Sequence, residues 1–113
     1  VPVIEAPAKV KAGEPFKVIV SVGKEIPHPN KPEHFISWIQ LFYKPFDGKF
    51  VIELAKFDYT AHAASMDPAA PGPAMTEPCS CATLKLAKSG TLIVQSYCNI
   101  HGLWESSAEI EVE

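Results

Sequence analysis

The sequence predicts an all-β domain, an antiparallel sandwich or small barrel. Three observations carry this reading. Apolar residues recur with period two through most of the apolar segments, the signature of half-buried strands. Turn-forming residues separate those segments at short, regular intervals. Eleven prolines are spread along 113 residues, and proline breaks a helix interior because it lacks an N–H and clashes with the preceding turn. Together they give about seven short strands in one domain.

A weak strand is predicted over 3–10, closed by the turn Ala12-Gly13-Glu14-Pro15. Phe16 to Val22 alternates around Val18, Val20 and Val22, one well-buried face. Phe35 to Tyr43 is rich in aromatic and β-branched residues, which favour a pleated surface. Pro45-Phe46-Asp47-Gly48 then makes a tight link to a strand over 49–57. Strands over 80–86, 91–97 and 107–112 complete the series, with Lys88-Ser89-Gly90 as a second tight link. No repeat and no linker divides the chain, so 1–113 reads as a single domain.

Composition narrows the function. The chain is 47% hydrophobic and 20% charged, with a net charge of −3 and no arginine. That balance argues against general phosphate-backbone binding, so no nucleic-acid partner is expected. Apolar runs of only a few residues give no membrane-spanning segment.

Two connectors are more than plain links. Residues 23–33 contain Pro27, Pro29 and Pro32 and form a stiff loop. Residues 65–78 form an Ala/Pro-rich loop, read as a surface excursion of a length that is usually functional or mobile.

The chemistry must sit among four His and three Cys. Pro27 and Pro29 restrict the backbone on both sides of His28, and His34 follows shortly after. A rigid loop suits a metal ligand, although a surface imidazole is the plainer reading. Cys98-Asn99-Ile100-His101 is a Cys-x-x-His pair at a strand end, with Gly102 allowing an immediate turn. A structural Cys beside an ordinary His is its plainer reading. Three imidazoles and one thiolate suit tetrahedral zinc, an iron centre, or blue copper on a β-sandwich. No Met follows His101 to complete a copper site, but spacing alone does not choose among the metals. Cys79 and Cys81 sit at i and i+2 on a strand, poorly placed for a mutual disulfide, and read as small apolar-behaving side chains. His62 reads as a structural or surface His, and Trp38 and Trp104 as core or site-wall aromatics.

Two long motifs in order carry a resemblance. Gly23-Lys24-Glu25-Ile26-Pro27-His28-Pro29-Asn30, followed by Glu33-His34 and Trp38-Ile39, resembles the first half of a superoxide reductase iron site. Ser96-Tyr97-Cys98-Asn99-Ile100-His101-Gly102-Leu103-Trp104-Glu105 resembles its second half. The family is the one-iron superoxide reductases, also called neelaredoxins, and the iron domain of desulfoferrodoxins. The resemblance covers essentially the whole chain, including Val3-Ile4-Glu5 and Thr76-Glu77-Pro78.

It implies a seven-stranded immunoglobulin-like fold and a mononuclear, redox-active iron (Fe2+/Fe3+). His28, His34 and His101 would be equatorial ligands and Cys98 the axial thiolate. The implied reaction is one-electron reduction of superoxide to hydrogen peroxide, with Cys98 tuning the metal. Lys24 and Lys31 would supply local positive charge, solvated loop lysines being their plainer reading. The family has a fourth equatorial His in a Glu-Lys-His stretch just before the segment resembling Val1 to Glu5. The sequence begins after that point, and trimming there is the expectation. The resemblance also implies a small redox protein such as rubredoxin as electron donor, a homodimer or homotetramer, and a cytoplasmic location. The alternatives are a cupredoxin-like electron-transfer domain and a structural metal-binding domain.

Overall fold

A computed structural model describes residues 1–67 and 69–113. The described residues form eight strands in two sheets: β1 (Val3–Glu5), β2 (Lys9–Val10), β3 (Phe16–Ser21), β4 (Ile36–Pro45), β5 (Ile52–Asp58), β6 (Cys79–Leu84), β7 (Gly90–Cys98) and β8 (Gly102–Val112). The small sheet has the order β1-β3-β6 and the large one β2-β8-β7-β4-β5. All pairings are antiparallel except β2 with β8. Among the described residues there is no helix long and apolar enough to cross a membrane.

The all-β prediction holds, with eight strands where the sequence suggested about seven. The expected strand over 3–10 is two strands in different sheets. Pro7 lies between them and has no N–H to give a ladder, so the chain changes sheets there. The fifth strand begins at Ile52 rather than Lys49, and the last begins at Gly102 rather than Ser107. The Lys88-Ser89-Gly90 link is not a hairpin: it carries the chain from β6 in one sheet to β7 in the other. Gly90 is forced there, since a Cβ would lie 2.4 Å from the Lys44 carbonyl oxygen and 2.7 Å from the Tyr43 ring. Pro45 to Gly48 is a hairpin turn, its Gly48 N–H donating to the Pro45 carbonyl at 3.1 Å.

The core lies between the sheets. Val18 and Val20 of β3 face Ile39 and Leu41 of β4, Leu92 and Val94 of β7 and Ile110 of β8, all essentially inaccessible. Antiparallel register then decides which ends meet. Ile36 opens β4 opposite Cys98, the last residue of β7, and Cys98 is opposite Gly102, the first of β8. The connection between β3 and β4, which carries His28 and His34, must cross from one sheet to the other. An irregularity between Ile36 and Trp38 re-aims β4 beside Cys98, as bulges commonly do near sites.

Candidate metal centre

Four side chains from two distant segments converge at that end. His28, His34, Cys98 and His101 place one potential ligand atom each within 4.8 Å of one another. They are the four residues singled out in the sequence, and the fold brings all of them together.

Each is held by local chemistry. Lys31-Pro32-Glu33-His34 is a closed turn, with the Lys31 N–H donating to the His34 carbonyl at 2.9 Å and the His34 N–H returning to Lys31 at 3.1 Å. Proline in its second position supplies the preset φ such a turn needs. Gly23 starts the loop with φ 92°, and a Cβ there would lie 2.7 Å from the His28 nitrogen. Only glycine tolerates both the left-handed backbone and that approach. On the other segment, Gly102 (φ 81°) closes the turn Asn99-Ile100-His101 between β7 and β8.

Hydrogen bonds set the rings. His28 Nδ1 donates to the Pro29 carbonyl at 2.7 Å, which leaves its Nε2 lone pair free. His101 turns Nδ1 towards Cys98 Sγ at 3.7 Å, and its backbone N–H points at the same sulfur at 3.4 Å. The His34 ring stands edge-on to both others, at 4.8 Å from His28 and 5.0 Å from His101 between centroids. Its Nε2 is buried with no hydrogen-bond partner. An orphaned acceptor costs desolvation energy unless something binds it, and a metal would satisfy it. Desolvation, then the neighbouring His28, His101 and Lys31, hold the His34 pKa below its ordinary value, while Glu33 opposes them. The neutral ring that a metal requires is therefore favoured. Three imidazoles and one thiolate are a donor set for a borderline or soft transition metal.

Asn99, which the sequence did not single out, stitches the two segments. Its side-chain oxygen accepts from the Phe35 N–H at 2.8 Å, its Nδ2 donates to the Glu33 carbonyl at 3.0 Å, and its N–H donates to the Phe35 carbonyl at 3.2 Å. Trp104 is a site-wall aromatic: it lines a cavity of about 160 Å³ with Val1, His28, Cys98 and His101. Trp38 is neither core nor wall, but stacks on Tyr97 across the outer face of the large sheet.

The other candidates lie elsewhere. Lys24 extends to Glu5, with its Nζ 2.5 Å from Oε1. Cys79 and Cys81 are free and exposed, not packed as small apolar side chains. His62 is not a surface residue but buried. Most of the described residues in 65–78 are exposed, as expected of a surface excursion; Pro68 lies outside the described residues.

Comparison with known proteins agrees with this geometry. The Desulfoferrodoxin family model matches residues 1–107. The chain is 49% identical over 111 residues to the superoxide reductase of Pyrococcus abyssi, covering 98% of this chain and 86% of that protein. It is 43% identical over 113 residues to the neelaredoxin of Megalodesulfovibrio gigas, covering 100% and 87%. Among solved structures, a Thermotoga maritima protein superposes with a TM-score of 0.92 at 51% identity, covering 99% of this chain and 85% of that one. A shared family model, a shared fold and a converged His/Cys cluster lead to one conclusion: the chain belongs to the desulfoferrodoxin family.

Proposed function

We propose that this chain is a superoxide reductase, and that 1–113 is its iron-binding domain. The observation that carries the reading is the convergence of His28, His34, His101 and Cys98, with the His34 Nε2 buried and unpartnered among them. Superoxide takes up one electron and two protons to give hydrogen peroxide, and bound iron, cycling between Fe2+ and Fe3+, would supply the electron.

The chain's own residues do the rest. His28, His34 and His101 would hold the metal as neutral donors, keeping the site cationic towards an anion. Cys98 would give the thiolate, and the His101 N–H directed at its sulfur tempers that charge and tunes the potential. Lys31 is close enough to His34 to depress its pKa and is the better-placed cation for attracting superoxide. Lys24, the other lysine expected to supply local positive charge, has its charge compensated by Glu5. The electron donor fits a small redox protein such as a rubredoxin, since Tyr97, Ile100, Leu103 and Trp104 give an exposed apolar rim near Cys98. The reading places the protein in the cytoplasm as a homodimer or homotetramer, as the family resemblance implies.

The test is to load the protein with iron, reduce it and add superoxide. One peroxide per superoxide without dioxygen supports reduction. Dioxygen at half the superoxide consumed indicates dismutation and overturns the reading. Metal analysis with a visible spectrum tests the other metals: a blue copper band, or colourless zinc, would each remove the iron assignment.

A further inference from the structure

We propose that His62 is a positioning residue for the metal centre, clamping both arms of the loop that presents His28 and His34. The inference rests on the four-residue site proposed above and extends it to a residue outside both motifs.

The loop needs such a clamp. Pro27, Pro29 and Pro32 have no N–H, so a backbone ladder cannot fix it. The Lys31–His34 turn closes on itself through its own two hydrogen bonds, but those do not orient it against the rest of the molecule. His62 reaches both sides of that turn. Its Nδ1 lies 2.9 Å from the Asn30 side-chain oxygen, and Asn30 stands two residues beyond His28. Its ring stacks on Phe35, the residue after His34, at 3.8 Å between centroids and 10° between planes.

The clamp is anchored in the core. His62 Nε2 stands 2.8 Å from the Tyr59 carbonyl oxygen. Tyr59 is itself buried, with its hydroxyl 2.7 Å from Ser80 Oγ on β6. Asn30 is fixed from its other end, since its Nδ2 donates to the Thr76 carbonyl at 3.0 Å. Thr76 returns its N–H to Ala61 at 2.7 Å, so the segment around His62 and the end of the Ala/Pro-rich segment are tied to each other. Ala63, immediately after His62, is the one non-glycine with positive φ (58°) among the described residues. It is held there because its N–H donates to Ala74 and its carbonyl accepts from Gly72, both at 2.8 Å. Strain of this kind persists where surrounding contacts over-determine the backbone. The segment that reads as a surface excursion thus supports the back of the ligand loop.

The experiment uses cobalt(II) as a spectroscopic probe. His62→Phe keeps an aromatic ring against Phe35 and deletes both polar contacts; Asn30→Ala breaks the His62 contact from the other side, from a half-buried position, together with the bond to Thr76. Loss of cobalt to a chelator, followed by the thiolate-to-cobalt band, should accelerate about tenfold in each variant. The double variant should accelerate the loss by less than the product of the two single effects, because the shared His62–Asn30 contact is removed only once. His62→Asn, which keeps a polar group facing Asn30, should recover most of the retention. Rates within about twofold of the unaltered protein in both single variants would overturn the clamp, since outer partners of metal ligands ordinarily contribute more than that. If the unaltered protein takes up no cobalt, the proposed site itself falls. The clamp is then read from hydrogen exchange at the Lys31 and His34 amides: faster exchange in both variants supports it, and unchanged exchange overturns it.

Discussion

Asn99→Ala separates stitching from simple proximity in the candidate centre. The native side chain makes two hydrogen bonds to backbone 64 and 66 residues away, at 2.8 Å and 3.0 Å. Each is worth about 0.5–1.5 kcal/mol net. Asn99 is exposed, so water can re-solvate the freed Phe35 N–H and Glu33 carbonyl, and the lower half of that range applies. The loss is then about 1–2 kcal/mol, or a fall in melting temperature of about 4–8 °C for a chain of this size. Asn99→Asp keeps an acceptor for the Phe35 N–H but no donor for Glu33, so it should lose about half as much.

The second readout is the metal. Without Asn99 the turn carrying His34 and the hairpin end carrying Cys98 and His101 keep their own folds but lose their mutual register. Iron(II) affinity, measured by competition with a chelator, should fall about tenfold. A melting temperature within about 1 °C of the parent would show that these bonds contribute nothing to the fold. A lowered melting temperature with unchanged affinity would refute the positioning role and leave Asn99 as a stabilising residue only.

Three further outcomes follow from the geometry. Cys98→Ser should abolish the thiolate-to-metal charge-transfer band while the far-UV spectrum stays β; a band that survives would exclude Cys98 as the thiolate. Gly90→Ala should cost about 2–3 kcal/mol in denaturant unfolding, because its Cβ must displace the Lys44 carbonyl or the Tyr43 side chain, which hydrogen-bonds the Lys88 carbonyl; a cost under about 0.5 kcal/mol would contradict that packing. The third concerns pH. His34 has a folded pKa below 6.5, so folding is penalised when the ring takes a proton. Its contribution is fully present above 6.5 and is lost as pH falls through the folded value. Metal-free protein should therefore unfold more readily at about pH 5 than at about pH 8, and His34→Asn should flatten part of that dependence; an unchanged dependence in the variant would assign it to other groups.

What could be read from the sequence, and what could not, divides by range. The candidate ligands were legible because each lies in a local pattern: His28 between prolines, His34 after a proline turn, Cys98 and His101 at i and i+3 beside a glycine. The central strands were legible because Val18, Val20, Leu92 and Val94 alternate with solvent-facing residues. The early end of β8 was missed because Gly102 to Ser106 follows the Cys-x-x-His segment without a break and reads as part of its loop. Only pairing with β7, Trp104 opposite Ser96 and Glu105 opposite Gln95, makes it a strand. His62 and Asn99 gave no local signal, because their partners are distant: Asn30 is 32 residues from His62, and Phe35 is 64 from Asn99. A hydrogen bond of that kind exists only once the sandwich has brought its ends together.

The burial of the four candidate ligands carries one further consequence. Cys98 is 2% exposed, while His28 and His34 are half-buried and His101 is exposed. The His101 N–H points at the Cys98 sulfur at 3.4 Å, and the His101 Nδ1 lies 3.7 Å from it. With a metal bound there, the electron-rich sulfur would lie inside the fold and the exposed His101 would lie towards solvent. That division follows from the strand register, which places Cys98 on the core face of β7 and leaves His101 to the turn that follows.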